Sequence, residues 1–290
     1  MNWSVVGHEQ QKHHIEQLLA QGTLSRALLL VGPEGVGKKT FAVDIASALL
    51  GGAVVAQSPD AMMLAPGVSK ETGKPTDISA ESIRDMKVWA YQRPLYGTAK
   101  VVLIDAADRL SDAAANTLLK VLEEPPEYLY FFLMSAFSGS LLPTIASRCQ
   151  ELRFAPIADA HMDEALAKLS LTPPQKKLLA VVAQGRPGLA YAYVQDKRLD
   201  EVARSLEQFK KILSMGVAER IALTKALVDD DALSDVVSWW LLWAHANLTG
   251  EPRLAGVARG LLELSCALQE SKYNQRLALD RFMLETQVIS

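Results

Sequence analysis

The chain has 290 residues, 49% hydrophobic and 22% charged, with a formal net charge of −3. That is room for two or three domains with sizeable cores, and nothing in it suggests a tail or a disordered chain. The mild acidity also excludes a free-standing nucleic-acid binder with a basic stripe, though not DNA contact within a complex whose other members supply charge.

In chain order, Glu9 to Gln21 predicts an amphipathic helix with Ile15, Leu18 and Leu19 on one face. An apolar run, Ala27 to Val31, predicts a buried strand. The stretch Gly32-Pro-Glu-Gly35-Val-Gly37-Lys38-Lys39-Thr40 follows it, and a helix-like segment runs from Phe41 to Leu50. Gly51 to Ser58 reads as a small-residue loop, Met62 to Leu64 as a short strand, Gly67 to Ser79 as a polar loop and Ser82 to Tyr91 as a helix. Val101 to Asp105 is a second buried parallel strand. Ser111 caps a helix through Leu122 that Pro125 and Pro126 end. Strands at Tyr128–Met134 and Glu151–Phe154 flank a helical turn after Pro143.

Alternating strands and helices indicate a parallel sheet covered on both faces. After Pro156 the periodic segments are all helical: Asp159–Leu169, Pro174–Ala183, Leu189–Phe209, Val217–Val228, Asp235–Asn247, Gly256–Ser271 and Asn274–Val288. The expected fold is thus α/β followed by helical parts, with domains at 1–156, 157–198 and 199–290. Apolar faces from Leu199 onward, including Trp239, Trp240, Leu242, Leu261, Leu264 and Phe282, exceed what a small isolated bundle needs and suggest assembly.

The glycine-rich stretch lies between strand and helix, where backbone N–H groups and a helix N-terminus cradle phosphates. Its GxxxxGK pattern is intact, but Lys39 stands where a Ser or Thr hydroxyl would hold Mg²⁺. Thr40 comes one residue late, a rotation of about 100° on a helix. Asp105 ends its strand where a P-loop fold places the metal-directing carboxylate. Ala106 follows where hydrolysing AAA+ proteins carry a water-polarising Glu, and a methyl group cannot accept a proton. Asp108 reads as capping or solvating the next segment. The cradle of Gly32, Gly35, Gly37, Lys38, Lys39, Thr40 and Asp105 can therefore hold ATP, ADP or phosphate weakly, with negligible turnover.

Leu110-Ser-Asp-Ala-Ala-Ala-Asn-Thr-Leu-Leu-Lys-Val-Leu-Glu-Glu-Pro-Pro126 resembles the segment after the Asp strand in bacterial clamp-loader subunits, a family of AAA+ proteins. Pro143-Thr-Ile-Ala-Ser-Arg148-Cys-Gln150 and Val6-Gly7-His8-Glu9 do the same, and together they cover most of the first domain. The degenerate nucleotide site is similar to the delta-prime branch of the DNA polymerase III family rather than to ATP-hydrolysing gamma/tau. Asn274 to Leu284 resembles the end of delta-prime chains.

The resemblance implies a RecA-like AAA+ domain, a small helical lid and a helical collar that assembles a pentameric loader with gamma/tau and delta subunits. Such a loader opens a sliding clamp and places it on primer-template DNA. It implies that this subunit is a rigid stator without intrinsic ATPase activity, a component of the polymerase holoenzyme. It also implies that Arg148 reaches ATP held by a neighbour, an arginine finger. The alternative at that residue is pairing with a local acid.

Two departures from the family stand out. The four cysteines of its structural zinc module, expected near Gly51–Ser58, are absent, so no zinc is expected and no cofactor is required. The chain has only two cysteines, Cys149 and Cys266, which fits a reducing cytosol. In Gly185-Arg186-Pro187-Gly188-Leu189-Ala190, Gly188 falls where motor subunits place a lid arginine on the γ-phosphate.

Ser135 either senses the nucleotide or ends its strand. His13 and His14 read as solvated, Cys149 as a buried small residue, and Trp239, Trp240 and Trp243 as core or subunit interface. Neither a signal peptide nor a stretch able to span a bilayer is visible, so a cytoplasmic protein without membrane contact is expected. The competing functions are a gamma/tau-type ATPase with an unusual site and an unrelated P-loop enzyme such as a small-molecule kinase.

Overall fold

The computed structural model describes residues 1–69, 76–228, 232–269 and 274–286. The chain divides into two compact units: Met1–Lys168 with Gly185–Leu189, and Leu169–Gln184 with Ala190–Ser290.

The first unit contains helices α1 (Glu9–Gln21), α2 (Lys38–Leu49), α3 (Ala80–Ala90), α4 (Asp112–Glu123), α5 (Pro143–Ala146) and α6 (Asp159–Ala167). Its strands are β1 (Ala27–Val31), β2 (Ala61–Leu64), β3 (Lys100–Ile104), β4 (Leu129–Ser135) and β5 (Gln150–Arg153). They form one sheet in the order β2-β3-β4-β1-β5, with every neighbouring pair parallel. Side chains alternate across a strand, so each strand supplies two cores. Leu29, Val102, Ile104, Phe131 and Leu133 face α3, α4 and α5, packing with Ile83, Met86, Leu118, Val121 and Ile145. Leu28, Leu30, Val101, Leu103, Phe132 and Met134 face the other way, onto Ile15, Phe41 and Ile45 of α1 and α2. This double burial is why β1 and residues 101–104 of β3 read as unbroken apolar runs. Ser111 caps α4, its side chain accepting from the Ala114 N–H, as expected.

The second unit is helical. It holds α7 (Pro173–Ala183), most of α8 (Pro187–Gln195), α9 (Leu199–Ser214), α10 (Val217–Val228), α11 (Leu233–Asn247), α12 (Leu254–Gln269) and α13 (Gln275–Glu285). The single helix expected over Leu189–Phe209 is two. Lys197 adopts a left-handed conformation, φ 56°, and the chain turns there although neither Gly nor Pro marks the place. The expected ends at 270–271 and 287–288, and 70–75 of the expected polar loop, lie outside the described residues.

The aromatic residues nominated as surplus are this unit's own core. Trp239 and Trp240 are buried, the Trp239 indole donating to the Tyr193 hydroxyl at 2.8 Å and the Trp240 indole to Ser205 Oγ at 3.0 Å. Phe209 stacks on Trp240 with ring centroids 4.8 Å apart. Leu261, Leu264 and Phe282 are buried as well. Periodicity identifies an apolar face but not what covers it.

Arg220 of α10 is wholly buried and, among the described residues, has no carboxylate among its hydrogen-bond partners. Its guanidinium donates to the carbonyls of Ile212 at 2.9 Å, Leu213 at 3.4 Å, Met283 at 3.5 Å and Thr286. These oxygens end α9 and α13, where unsatisfied carbonyls and the negative pole of the helix dipole favour a cation.

Candidate functional site

The C-terminal ends of β1, β3 and β4 meet at one edge of the sheet, the place where open α/β sheets bind ligands. The loop Gly32–Gly37 leaves β1 and is tied to the end of β4, the Gly32 N–H donating to the Ser135 carbonyl at 3.1 Å. Gly37, with φ 108°, is the N-cap of α2 and offers no capping side chain. The first N–H groups of that helix are therefore directed at the loop's concavity without a side-chain acceptor.

Lys38 arches over the loop, its ammonium donating to the Gly32 carbonyl at 2.5 Å and the Pro33 carbonyl at 2.8 Å. Burial lowers its pKa, opposed by the nearby carboxylates of Asp105, Glu34 and Asp108. Lys39 Nζ forms an ion pair with Asp105 Oδ2 at 3.1 Å. Thr40 is exposed and its hydroxyl takes no part in this pair. The residue replacing the metal-binding hydroxyl thus puts its own cation on the metal-directing carboxylate.

Ala106 sits in the left-handed region, φ 50° and ψ 55°, a conformation that costs a non-glycine residue about 1 kcal/mol. The turn it makes corrects one expectation. Asp108 does not cap the next helix, a role Ser111 fills, and is half-buried. It lines the cradle cavity with one carboxylate oxygen buried and without a hydrogen-bond partner. That cavity, about 470 Å³, is also lined by Glu34, Lys38, Asp105, Arg109 and Ser135. The Ser135 hydroxyl donates to the Phe137 carbonyl at 2.9 Å, so it ends the strand while its residue forms part of the wall.

Two contacts at this site were not legible in sequence. Gly188 N–H donates to the Gly35 carbonyl at 2.8 Å. A side chain on Gly188 would meet that oxygen at 2.9 Å, and one on Gly35, where φ is +81°, would meet Leu189 N at 2.8 Å. Two facing glycines let these backbones touch, so Gly188 has a packing role of its own. On the loop's other side, His8 Nε2 lies 2.9 Å from the Val36 carbonyl. A carbonyl only accepts, so Nε2 carries the proton. Burial lowers the His8 pKa, outweighing the opposing effect of that hydrogen bond. No spacing rule links residues 8 and 36.

Arg148 is not in this cavity. It precedes the N-terminal end of β5, whereas the cradle lies at C-terminal strand ends. Its guanidinium donates to the Thr144 carbonyl at 3.0 Å and to Glu123 Oε1 at 2.8 Å, the local-acid pairing raised as the alternative. The pair is solvent-exposed. Nearby, burial raises the Cys149 thiol to about 11, the behaviour of an inert packed residue. Among the described residues no group of His, Cys, Asp or Glu could hold a metal ion, and no helix is long and apolar enough to cross a membrane.

A glycine-rich loop between β1 and α2, an Asp closing β3 and this strand order define a P-loop α/β domain of the AAA+ class, followed by an all-α region. Residues 7–158 match the family described as DNA polymerase III, delta subunit, and the chain belongs to that family. It is 31% identical over 216 residues to the DNA polymerase III subunit delta′ of Haemophilus influenzae, covering 68% of this chain and 63% of that protein. With subunit delta′ of Escherichia coli K12 it is 38% identical over 139 residues, 47% of this chain and 40% of that one. The chain therefore spans less than two thirds of the length of these relatives. A gamma/tau subunit of Mycobacterium tuberculosis is 29% identical over 179 residues, 57% of this chain and 30% of its own. A gamma subunit-related protein from Thermotoga maritima shares the fold, with a TM-score of 0.53 at 18% identity over 93% of this chain and 97% of that one.

Proposed function

We propose that this chain is a delta-prime-type subunit of a DNA polymerase III clamp loader, a stator that does not itself hydrolyse ATP. The observation that carries the reading is the Lys39–Asp105 ion pair followed by Ala106. The metal-binding hydroxyl and the water-orienting carboxylate are both replaced, while the phosphate loop around them is kept. In this reading the chain works in the cytoplasm with gamma/tau and delta subunits, helping them open a sliding clamp and close it on primer-template DNA. The division into an AAA+ domain at 1–156, a lid at 157–198 and a collar at 199–290 belongs to the same proposal.

Arg148 is its arginine finger, acting in a neighbour's site. Its location away from the chain's own cradle supports action in trans. An exposed ion pair such as Arg148–Glu123 is worth about 0.2–1 kcal/mol, little enough for a phosphate to displace the carboxylate. Guanidinium also contacts phosphate through two N–H groups, which Lys cannot reproduce.

ATP turnover by the purified chain tests the first half. Activity near 1 s⁻¹, roughly the low end of ordinary enzymes, that disappears in Lys38→Ala would overturn the stator reading. It would favour the second reading, a gamma/tau-type ATPase, which the similarity to gamma/tau subunits keeps open. For the second half, Arg148→Ala should assemble normally yet sharply lower clamp-stimulated ATP hydrolysis by the reconstituted complex, the loss at the one site it reaches being about 10³. Arg148→Lys should rescue only partly, and wild-type turnover in the alanine variant would make Arg148 merely structural.

A further inference from the structure

The AAA+ class implies a magnesium ion at the end of β3, held through the hydroxyl that follows the loop lysine. The residues present do not fit one. Lys39 replaces that hydroxyl and its ammonium lies 3.1 Å from Asp105 Oδ2. A divalent ion on the same carboxylate would sit against a positive charge at hydrogen-bond range.

The two replacements are also electrically matched. A hydrolysing site combines a divalent cation with a water-orienting carboxylate. This chain has lost both and gained one ammonium, so the summed charge around the phosphates is unchanged. Elsewhere on the cavity wall Lys38 and Arg109 stand against Glu34 and Asp108. The Lys38 ammonium rests on two neutral carbonyls, weaker acceptors than phosphate oxygens.

We infer that Lys39 is a resident substitute for the metal and that this cradle binds the pyrophosphate group of a nucleotide without a divalent ion. The inference rests on the non-hydrolysing reading of the site, and it deepens that reading by naming what the loop holds and under what condition. It assigns Lys39 a positive role in ligand binding: its ammonium meets the phosphate oxygens that Mg²⁺ would otherwise bridge. Asp105 then orients that ammonium.

Calorimetric titration of the full chain with ADP, in excess EDTA and in excess Mg²⁺, tests this directly. The expected result is binding in EDTA that weakens in excess Mg²⁺, because chelation withdraws the metal-free ADP that the site accepts. Lys39→Thr should weaken binding in EDTA about tenfold or more, the effect of losing one charge-assisted hydrogen bond, and should make binding magnesium-dependent. Inorganic pyrophosphate displacing ADP would identify the anion as the recognised group, and failure to displace it would overturn the pyrophosphate assignment. Three further results would overturn the inference: wild-type binding only with Mg²⁺, no ADP binding in either buffer, or unchanged EDTA binding in Lys39→Thr. None of these would touch the stator reading, which fails on ATP turnover instead.

Discussion

Two lysine or arginine clusters, one in each unit, show how differently a protein can hold a cation. At the end of β1, Lys38 and Lys39 are partly open to solvent and lie among carboxylates and loop carbonyls beside a cavity. In the helical unit, Arg220 is sealed from water and its donors are met by backbone carbonyls at two helix ends. The first arrangement is exchangeable, because a ligand can replace each partner without opening a core. The second is architectural, because nothing can reach it.

The sharpest way to break this contrast is Arg220→Met. Removing the guanidinium strands the carbonyls of Ile212, Leu213, Met283 and Thr286 in an apolar interior, and should cost about 3 kcal/mol or more by chemical denaturation. Lys38→Ala, at the exchangeable site, should change stability by less than about 1 kcal/mol while removing nucleotide or phosphate binding. Equal losses for the two variants would erase the distinction.

A second comparison sets Gly188 against the arginine that motor subunits carry at that position. If the glycine is there only because an arginine was lost, Gly188→Ala should be neutral. The geometry predicts a cost of about 1–3 kcal/mol, since the new methyl would press on the Gly35 carbonyl, which belongs to a backbone that cannot rotate away.

The proposed assembly through the second unit cannot rest on its buried tryptophans, which leaves the exposed positions to test. Leu277 and Leu284 are exposed and lie two turns apart on one face of α13. Replacing both with Glu should abolish co-purification with other loader subunits. The isolated chain's stability should change by no more than about 0.5 kcal/mol, the ordinary range for surface positions. Retained assembly would move the interface elsewhere.

The smallest effect concerns pH. Because burial holds the His8 pKa below its ordinary 6.5, the unfolded chain takes up a proton before the folded one does. The stability of the first unit should therefore be complete above pH 6.5 and fall as the pH drops below it. Lys12 and His161 add to the depression and Glu9 opposes it. His8→Gln keeps an N–H donor for the Val36 carbonyl and should flatten that slope in thermal melts. An unchanged slope would assign the pH dependence to other groups.

Most of the first unit was legible in sequence because its signals are local. Buried parallel strands read as apolar runs, Ser111 announces a helix, and the phosphate loop has a fixed spacing. The replacements at the loop, Lys39 and Ala106, were legible in sequence as well. What escaped depends on conformations or contacts that sequence does not encode locally. The left-handed turn at Ala106 swings Asp108 into the cavity, and the one at Lys197 breaks a helix without Gly or Pro. Gly35 meets Gly188, and His8 meets Val36, across separations no motif spans.

Arg220 also has a bearing on the order in which the molecule is made. Two of its acceptors, Ile212 and Leu213, leave the ribosome before it does, but Met283 and Thr286 follow more than sixty residues later. Until they arrive, the guanidinium is half satisfied and α10 lacks α13, the helix it packs against. The first unit, whose contacts end at Leu189, can close while the second is still being synthesised. A chain cut short before Met283 would therefore carry a finished first unit and an unfinished helical one. Proteases acting on open chains would degrade its second unit and leave the first intact. Limited proteolysis of such a truncation, read by the survival of a fragment ending near Leu189, is the measurement that would show it.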